Sequence, residues 1–154
     1  MTREQTRATL AWKHVVAVGD KHGKDSPGRK TYGTLAGKLP SLLRSAGFCQ
    51  AVHFLRSRRK KDAKPNQPDM AELLLGHLAE QLGQVSQGIG ADIEALCKAA
   101  RESPLPVYLW LSREAVACAT WYARLAKSEL EVEPTDDAPE DNAAEPEAKA
   151  EAAP

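Results

Sequence analysis

The sequence predicts an all-α protein: a single small helical bundle of about six helices at residues 1–130, followed by a disordered acidic tail at 131–154. Three observations lead there. Apolar residues recur three and four positions apart in successive segments, which is the spacing that lines one face of a helix. No segment shows the strict apolar and polar alternation of a half-buried strand. Beyond position 131 the chain is dominated by Ala, Glu, Asp and Pro, with one aliphatic residue larger than Ala. Such a segment buries too little surface to offset its ordering entropy. The remainder, within a 154-residue chain that is 42% apolar, can bury roughly two thirds of its unfolded surface in one core.

Each helix has its own signature. Thr2 and Gln5 have the form of a capping box, and Ala8, Ala11, Trp12, Val15 and Val18 follow at helical spacing, so a first helix should run to about Gly19. Residues 20–30 are polar and contain Gly23, Pro27 and Gly28, which predicts a mobile loop. Leu35, Leu39, Leu42, Leu43 and Ala46 form the next stripe. Pro40 lacks an N–H, so this stripe is either one kinked helix or a turn followed by a helix starting at Pro40. Gly47 suits a left-handed helix stop, and Phe48, Ala51, Val52 and Leu55 then carry a third helix to about Arg58. Residues 60–68, with two prolines, predict a second loop. Asp69 and Glu72 mark another start, with Met70, Leu73, Leu74, Leu78 and Leu82 as its apolar face. Gly88, Ile89 and Gly90 connect to a short helix from Asp92 to about Glu102. Pro106 sits in the first turn of the last helix, whose seam is Tyr108, Leu111, Ala115, Cys118, Tyr122 and Leu125.

The net charge of zero conceals a strong asymmetry. Residues 1–130 hold 20 Lys and Arg against 12 Asp and Glu, whereas 131–154 hold one Lys against nine acids. Fifteen of the basic residues and only four acids fall within the first 64 positions, so the N-terminal half is where a polyanion would bind. The near balance of body and tail also raises the idea that the tail folds back on the basic face. The N-terminus resembles no signal peptide, and no apolar run approaches the ~18 residues of a bilayer span. A cytoplasmic protein without membrane contact is expected. Cys49, Cys97 and Cys118 show neither metal nor disulfide spacing and read as reduced thiols.

Little of the sequence suggests catalysis, a metal or a cofactor, and none of the three is expected. Cys49 and His53 are one helical turn apart, yet a closed zinc site needs four ligands and no complementary pair exists. The acidic pairs at 136–137 and 140–141 lie in the tail, and the Gly88 to Gly90 connector lacks the third glycine of a dinucleotide fingerprint. The basic run is more informative. Arg56, Arg59 and Lys60 share a face if the helix continues, with Arg58 and Lys61 flanking, and this places several cations within a few phosphate spacings. Lys38, Arg44, Arg3 and Arg7 are further nucleic-acid-binding candidates. No aromatic residue interleaves the cluster, so contact should be to backbone rather than bases. Trp12, Trp110 and Trp121 read as core or interface residues.

The order Tyr32, Leu35, Lys38-Leu39-Pro40, Leu42-Leu43, Gly47, Gln50 and Phe54-Leu55 resembles the small subunit of type III-B CRISPR effector complexes, the RNA-guided Cmr machines. A weaker resemblance covers Ser112-Arg113-Glu114-Ala115, Trp121 and Arg124-Leu125-Ala126. The tail has no counterpart in that pattern. The resemblance implies a non-catalytic subunit that self-associates, stacking in several copies into an inner filament of an antiviral complex. Its implied partners are the backbone ribonuclease subunit, the large polymerase-like subunit, guide RNA and target RNA. Base pairing would then supply sequence selectivity, and this subunit shape and charge. A helix-turn-helix DNA-binding regulator is the alternative, because Gly47 separates two helical segments, although Gln50 and His53 are few base-reading groups. An all-α enzyme is a third possibility.

Overall fold

The structure, a computed structural model, describes residues 1–59 and 69–133. These residues form six helices: α1 (Arg3–Lys21), α2 (Pro27–Ala46), α3 (Phe48–Ser57), α4 (Met70–Gly83), α5 (Ile93–Glu102) and α6 (Leu105–Glu129). No strand occurs among the described residues.

Local chemistry explains most of the boundaries. The Thr2 hydroxyl accepts from the Gln5 N–H at 3.2 Å while the Thr2 N–H donates to the Gln5 amide oxygen at 2.8 Å, completing the capping box. Asp69 caps α4 by accepting from the N–H groups of Ala71 and Glu72, and Asp92 caps α5 through the Glu94 N–H. Each satisfies donors that the first turn leaves without an intrahelical partner. Gly47, at φ +87°, ends α2 and starts α3. Only glycine adopts that φ without strain, although its ψ of 164° makes an extended link rather than the left-handed cap expected.

Packing moves three boundaries. α1 continues past Gly19 to Lys21, because Gly19 lies under Leu130 and its carbonyl is reached by Arg29. The expected loop at 20–30 shrinks, since Pro27 occupies the first position of α2, where its fixed φ favours a helix start. Pro40 sits inside α2, which is one continuous 20-residue helix. At the other end the packed body extends past 130, because Val132 is buried.

Contacts along the helices fix their directions. α1 and α6 run parallel, since Arg7 meets Glu114, His14 meets Tyr122 and Gly19 meets Leu130. α2 runs against α6, with Gly33 at Val132 and Gly47 near Tyr108. α4 runs against α1 and alongside α2, through Gln81 to Arg7 and Met70 to Gly28. The four helices enclose one core whose largest fully buried side chains include Tyr32, Leu39, Leu74, Leu78, Leu111 and Tyr122. α3 and α5 pack on each other and cover α2 and α4. Burial of an aliphatic side chain stabilises by about 1.5–3 kcal/mol, so this shared core rather than intrinsic propensity holds the short helices α3 and α5.

Candidate nucleic-acid interface

The apolar face of α3 (Phe48, Ala51, Val52, Leu55) is buried, and that orientation decides where the following cations go. Arg56 is turned toward α5, where it pairs with the Glu94 carboxylate and its Nη1 lies 3.5 Å from Cys97 Sγ. The Glu94 hydrogen bond holds the Arg56 guanidinium above its ordinary pKa and the Glu94 carboxyl below its own. Arg59 Nε stands 3.7 Å from Glu72 of α4. The Arg58 guanidinium lies over the Phe54 ring, 5.5 Å from its centroid. Lys60 and Lys61 lie outside the described residues. The groove between α3, α4 and α5 is therefore of mixed sign, with Arg56 and Arg59 facing Glu72, Asp92 and Glu94.

Arg3 and Arg7 stand at the opposite end of the bundle, around a buried carboxylate. Arg7 donates to both oxygens of Glu114, at 2.9 and 2.7 Å, and to Glu4 at 2.7 Å. Arg3 Nη2 lies 3.1 Å from Glu114, and its guanidinium covers the Trp110 ring. Burial pushes the Glu114 carboxyl up, but the hydrogen bonds and charge of Arg7, helped by Arg3, outweigh it and hold the group below the ordinary carboxylate range. Side chains of Arg7 and Glu114 are only 17% and 5% exposed, so this is an internal clamp between α1 and α6.

Lys38 and Arg44 are different. Both are exposed on α2 and form no ion pair among the described residues. α2 contains no Asp or Glu, and at 100° per residue the exposed Lys30, Lys38, Ser41 and Arg44 fall on one stripe of its surface. The three cations span 14 residues, roughly 21 Å of helix axis, with no carboxylate on their own element to neutralise them. Sequence reasoning had found Lys38 and Arg44 but not Lys30. The absence of acids throughout a 20-residue helix was the signal that would have added it.

A second feature escaped the sequence reading altogether. His14 and His77 stack inside the bundle, with ring centroids 4.0 Å apart and planes 7° from parallel. His14 bonds Tyr122 Oη at 2.7 Å and Glu80 at 2.8 Å, while His77 Nδ1 bonds Tyr32 Oη at 2.7 Å. Burial, with His14 adding, pushes His77 down to about 3. Burial likewise lowers His14, against the opposing pull of Glu80. A polar residue at a helical position among Ala11, Val15 and Val18, or among Leu74 and Leu78, was the visible trace. Among the described residues no group of three or more His, Cys, Asp or Glu side chains could hold a metal ion. Cys49 is half-buried, Cys97 and Cys118 are buried, and all three are free thiols.

The family of CRISPR-associated proteins described as Cas_Cmr5 matches residues 3–129 of this chain. The chain belongs to the Cmr5 family. The CRISPR system Cmr subunit Cmr5 of Thermus thermophilus is 35% identical over 130 residues, which cover 84% of this chain and 97% of that one. A crystal structure of a CRISPR-associated Cmr5 family protein from the same organism superposes with a TM-score of 0.66, covering 83% of this chain and 96% of that chain at 35% identity. The Cmr5 match thus spans all six helices and stops at the root of the acidic tail. No helix among the described residues is long and apolar enough to cross a membrane.

Proposed function

We propose that this chain is a non-catalytic small subunit of a cytoplasmic type III-B Cmr effector, in which several copies stack into an inner filament beside guide and target RNA. It would join the other Cmr subunits, among them the backbone ribonuclease and large polymerase-like components. Membership of the Cmr5 family supports the assembly. The observation that carries the RNA role is the uncompensated stripe of Lys30, Lys38 and Arg44 on α2. Such a surface binds phosphates without reading bases, which suffices where pairing supplies the sequence.

At the end of α3, Arg56 and Arg59 already face carboxylates, so the basic run is a secondary contact in this reading. Arg3 and Arg7 serve the Glu114 clamp, and their part in RNA contact is secondary. The helix-turn-helix alternative gains no support, because α3 is held against α5 and its exposed positions are Gln50, Phe54 and Ser57. For stacking, the exposed Leu105 and Leu109 lie one turn apart on the same face at the start of α6, apolar surface of the kind that marks protein contacts.

Replacing Lys30, Lys38 and Arg44 by Ala should lower affinity for an oligouridylate about equally for other single-stranded sequences. Log affinity against log salt should lose a slope of about 0.7 per phosphate contact removed. An unchanged slope in the triple variant would place the RNA elsewhere on the protein.

A further inference from the structure

We propose that the Ser41 and Ser45 hydroxyls of α2 accept hydrogen bonds from ribose 2′-hydroxyls, so that the cationic stripe holds RNA in preference to DNA of the same length and charge. The inference deepens the RNA-binding reading above and rests on it. Ser41 lies three residues from Lys38, three from Arg44 and four from Ser45, separations at which side chains of one helix are neighbours, about 5–6 Å apart at Cβ. All four are exposed. Together they occupy roughly 10 Å of the α2 axis.

The two hydroxyls are not engaged by the fold. Other hydroxyls on these helices turn back onto their own backbone: Thr6 donates to the Thr2 carbonyl at 3.1 Å, Ser57 to that of Phe54 at 2.7 Å and Thr120 to that of Val116 at 2.8 Å. This is the usual habit of Ser and Thr within helices. Ser41 and Ser45 form no side-chain hydrogen bond among the described residues. Both keep their donor and acceptor capacity for whatever lies against the stripe.

The chemistry of the stripe divides the work. Lys and Arg side chains donate and cannot accept, whereas a serine hydroxyl does both. A phosphate needs only donors, but a ribose 2′-hydroxyl is itself a donor and calls for an acceptor. A carboxylate would accept while repelling the phosphates on either side; a hydroxyl accepts without charge. α2 and α3 contain no Asp or Glu, so Ser41 and Ser45 are the side-chain acceptors that the exposed face of α2 offers. The acids of α6, which packs along α2, are Glu114 and Glu129. Glu114 is buried in the arginine clamp, and Glu129 stands at the far end, where its carbonyl meets Arg29. No aromatic side chain is exposed on α2, so base stacking adds nothing there and discrimination falls to the sugar. A DNA strand keeps every phosphate contact to Lys30, Lys38 and Arg44 and leaves both serines to water. Phosphates therefore set the salt dependence, and the hydroxyls set the choice of nucleic acid.

The test uses the full chain and a Ser41→Ala, Ser45→Ala double variant, each titrated with oligouridylate and with its 2′-deoxy and 2′-O-methyl counterparts of equal length at about 100 mM salt. The 2′-O-methyl strand retains an RNA-like sugar pucker and lacks the donor. The unaltered chain should bind oligouridylate about fivefold more tightly than either counterpart, the factor that one neutral hydrogen bond supplies. The double variant should bind all three strands alike, with the same salt slope as the unaltered chain. Ala is the better helix former, so both substitutions leave α2 intact. Equal affinity of the unaltered chain for the three strands, or a preference that survives both substitutions, would overturn the assignment. The two readings fail separately: a salt slope that flattens on replacing Lys30, Lys38 and Arg44, with ribose and deoxyribose strands bound alike, keeps the phosphate contact and removes the hydroxyl role. Failure to bind any strand removes both.

Discussion

His14 and His77 lie face to face with ring centroids 4.0 Å apart, so protonating both would place like charges in contact, with Glu80 bonded to His14 alone of the two. Unfolded histidine titrates near 6.5, whereas folded His77 is pushed down to about 3. A depressed folded value means that the unfolded chain binds the proton first. The stabilisation is therefore complete above about pH 6.5 and is lost as the pH falls from there toward 3. Between pH 7 and pH 5 this single group should cost about 2 kcal/mol, read from urea unfolding at the two pH values. His77→Gln should flatten that dependence, and an equally steep profile in the variant would assign it to other groups. Glu114 is the second residue on which much depends. Glu114→Gln removes the buried carboxylate and leaves Arg7 with exposed Glu4 as its remaining ion pair, so the loss should fall toward the lower end of the about 3–5 kcal/mol that breaking a buried pair costs. Urea unfolding at pH 7 should show a loss of that order.

At the scale of elements, side chains that close helix ends matter more than propensity. Arg29 meets carbonyls from the ends of two helices at once, groups that have no intrahelical partner and that carry the negative end of the helix dipole. Arg29→Met keeps much of the side-chain volume and removes every donor. Leaving buried carbonyls without partners should lower stability by about 2 kcal/mol. Hydrogen exchange should rise first in the last turns of α1 and α6, and uniform acceleration across all six helices would contradict the local role assigned to Arg29. The continuous α2 shows the complementary effect. Pro40 removes one backbone donor and by propensity would break the helix, yet Leu39, Pro40 and Leu43 are all buried in the core and packing keeps the axis intact.

The two ends of the molecule expose different residues. One end carries the tail root, Lys24, Lys30 and the return from the basic stretch; the other exposes Leu105 at 68% and Leu109 at 49% beside Trp110. The head-to-tail stacking proposed above requires two different surfaces, and the exposed Leu105 and Leu109 supply a candidate for one of them. Leu109→Glu should weaken self-association in sedimentation equilibrium while leaving the melting temperature nearly unchanged, because the side chain contributes little to the core. Unchanged association would move the stacking contact away from α6.

Much of this architecture was written in local patterns. The apolar periods of α1, α4 and α6, the capping residues Thr2, Asp69 and Asp92, and the Gly47 break between α2 and α3 are read from neighbours within a few positions. The charge division between body and tail is equally a property of the chain alone. Tertiary structure decided the rest, because it depends on partners far apart in sequence. Glu94, 38 residues beyond Arg56, turns that guanidinium toward α5, and Glu114, more than 100 residues beyond Arg7, makes that residue a clamp. The histidine stack joins positions 14 and 77, and Val132 finds its place only in the hollow at Gly33. A sequence states which charges and apolar faces exist; folding alone determines which of them meet, since long-range contacts are chosen by how the helices pack and not by the spacing within any one of them.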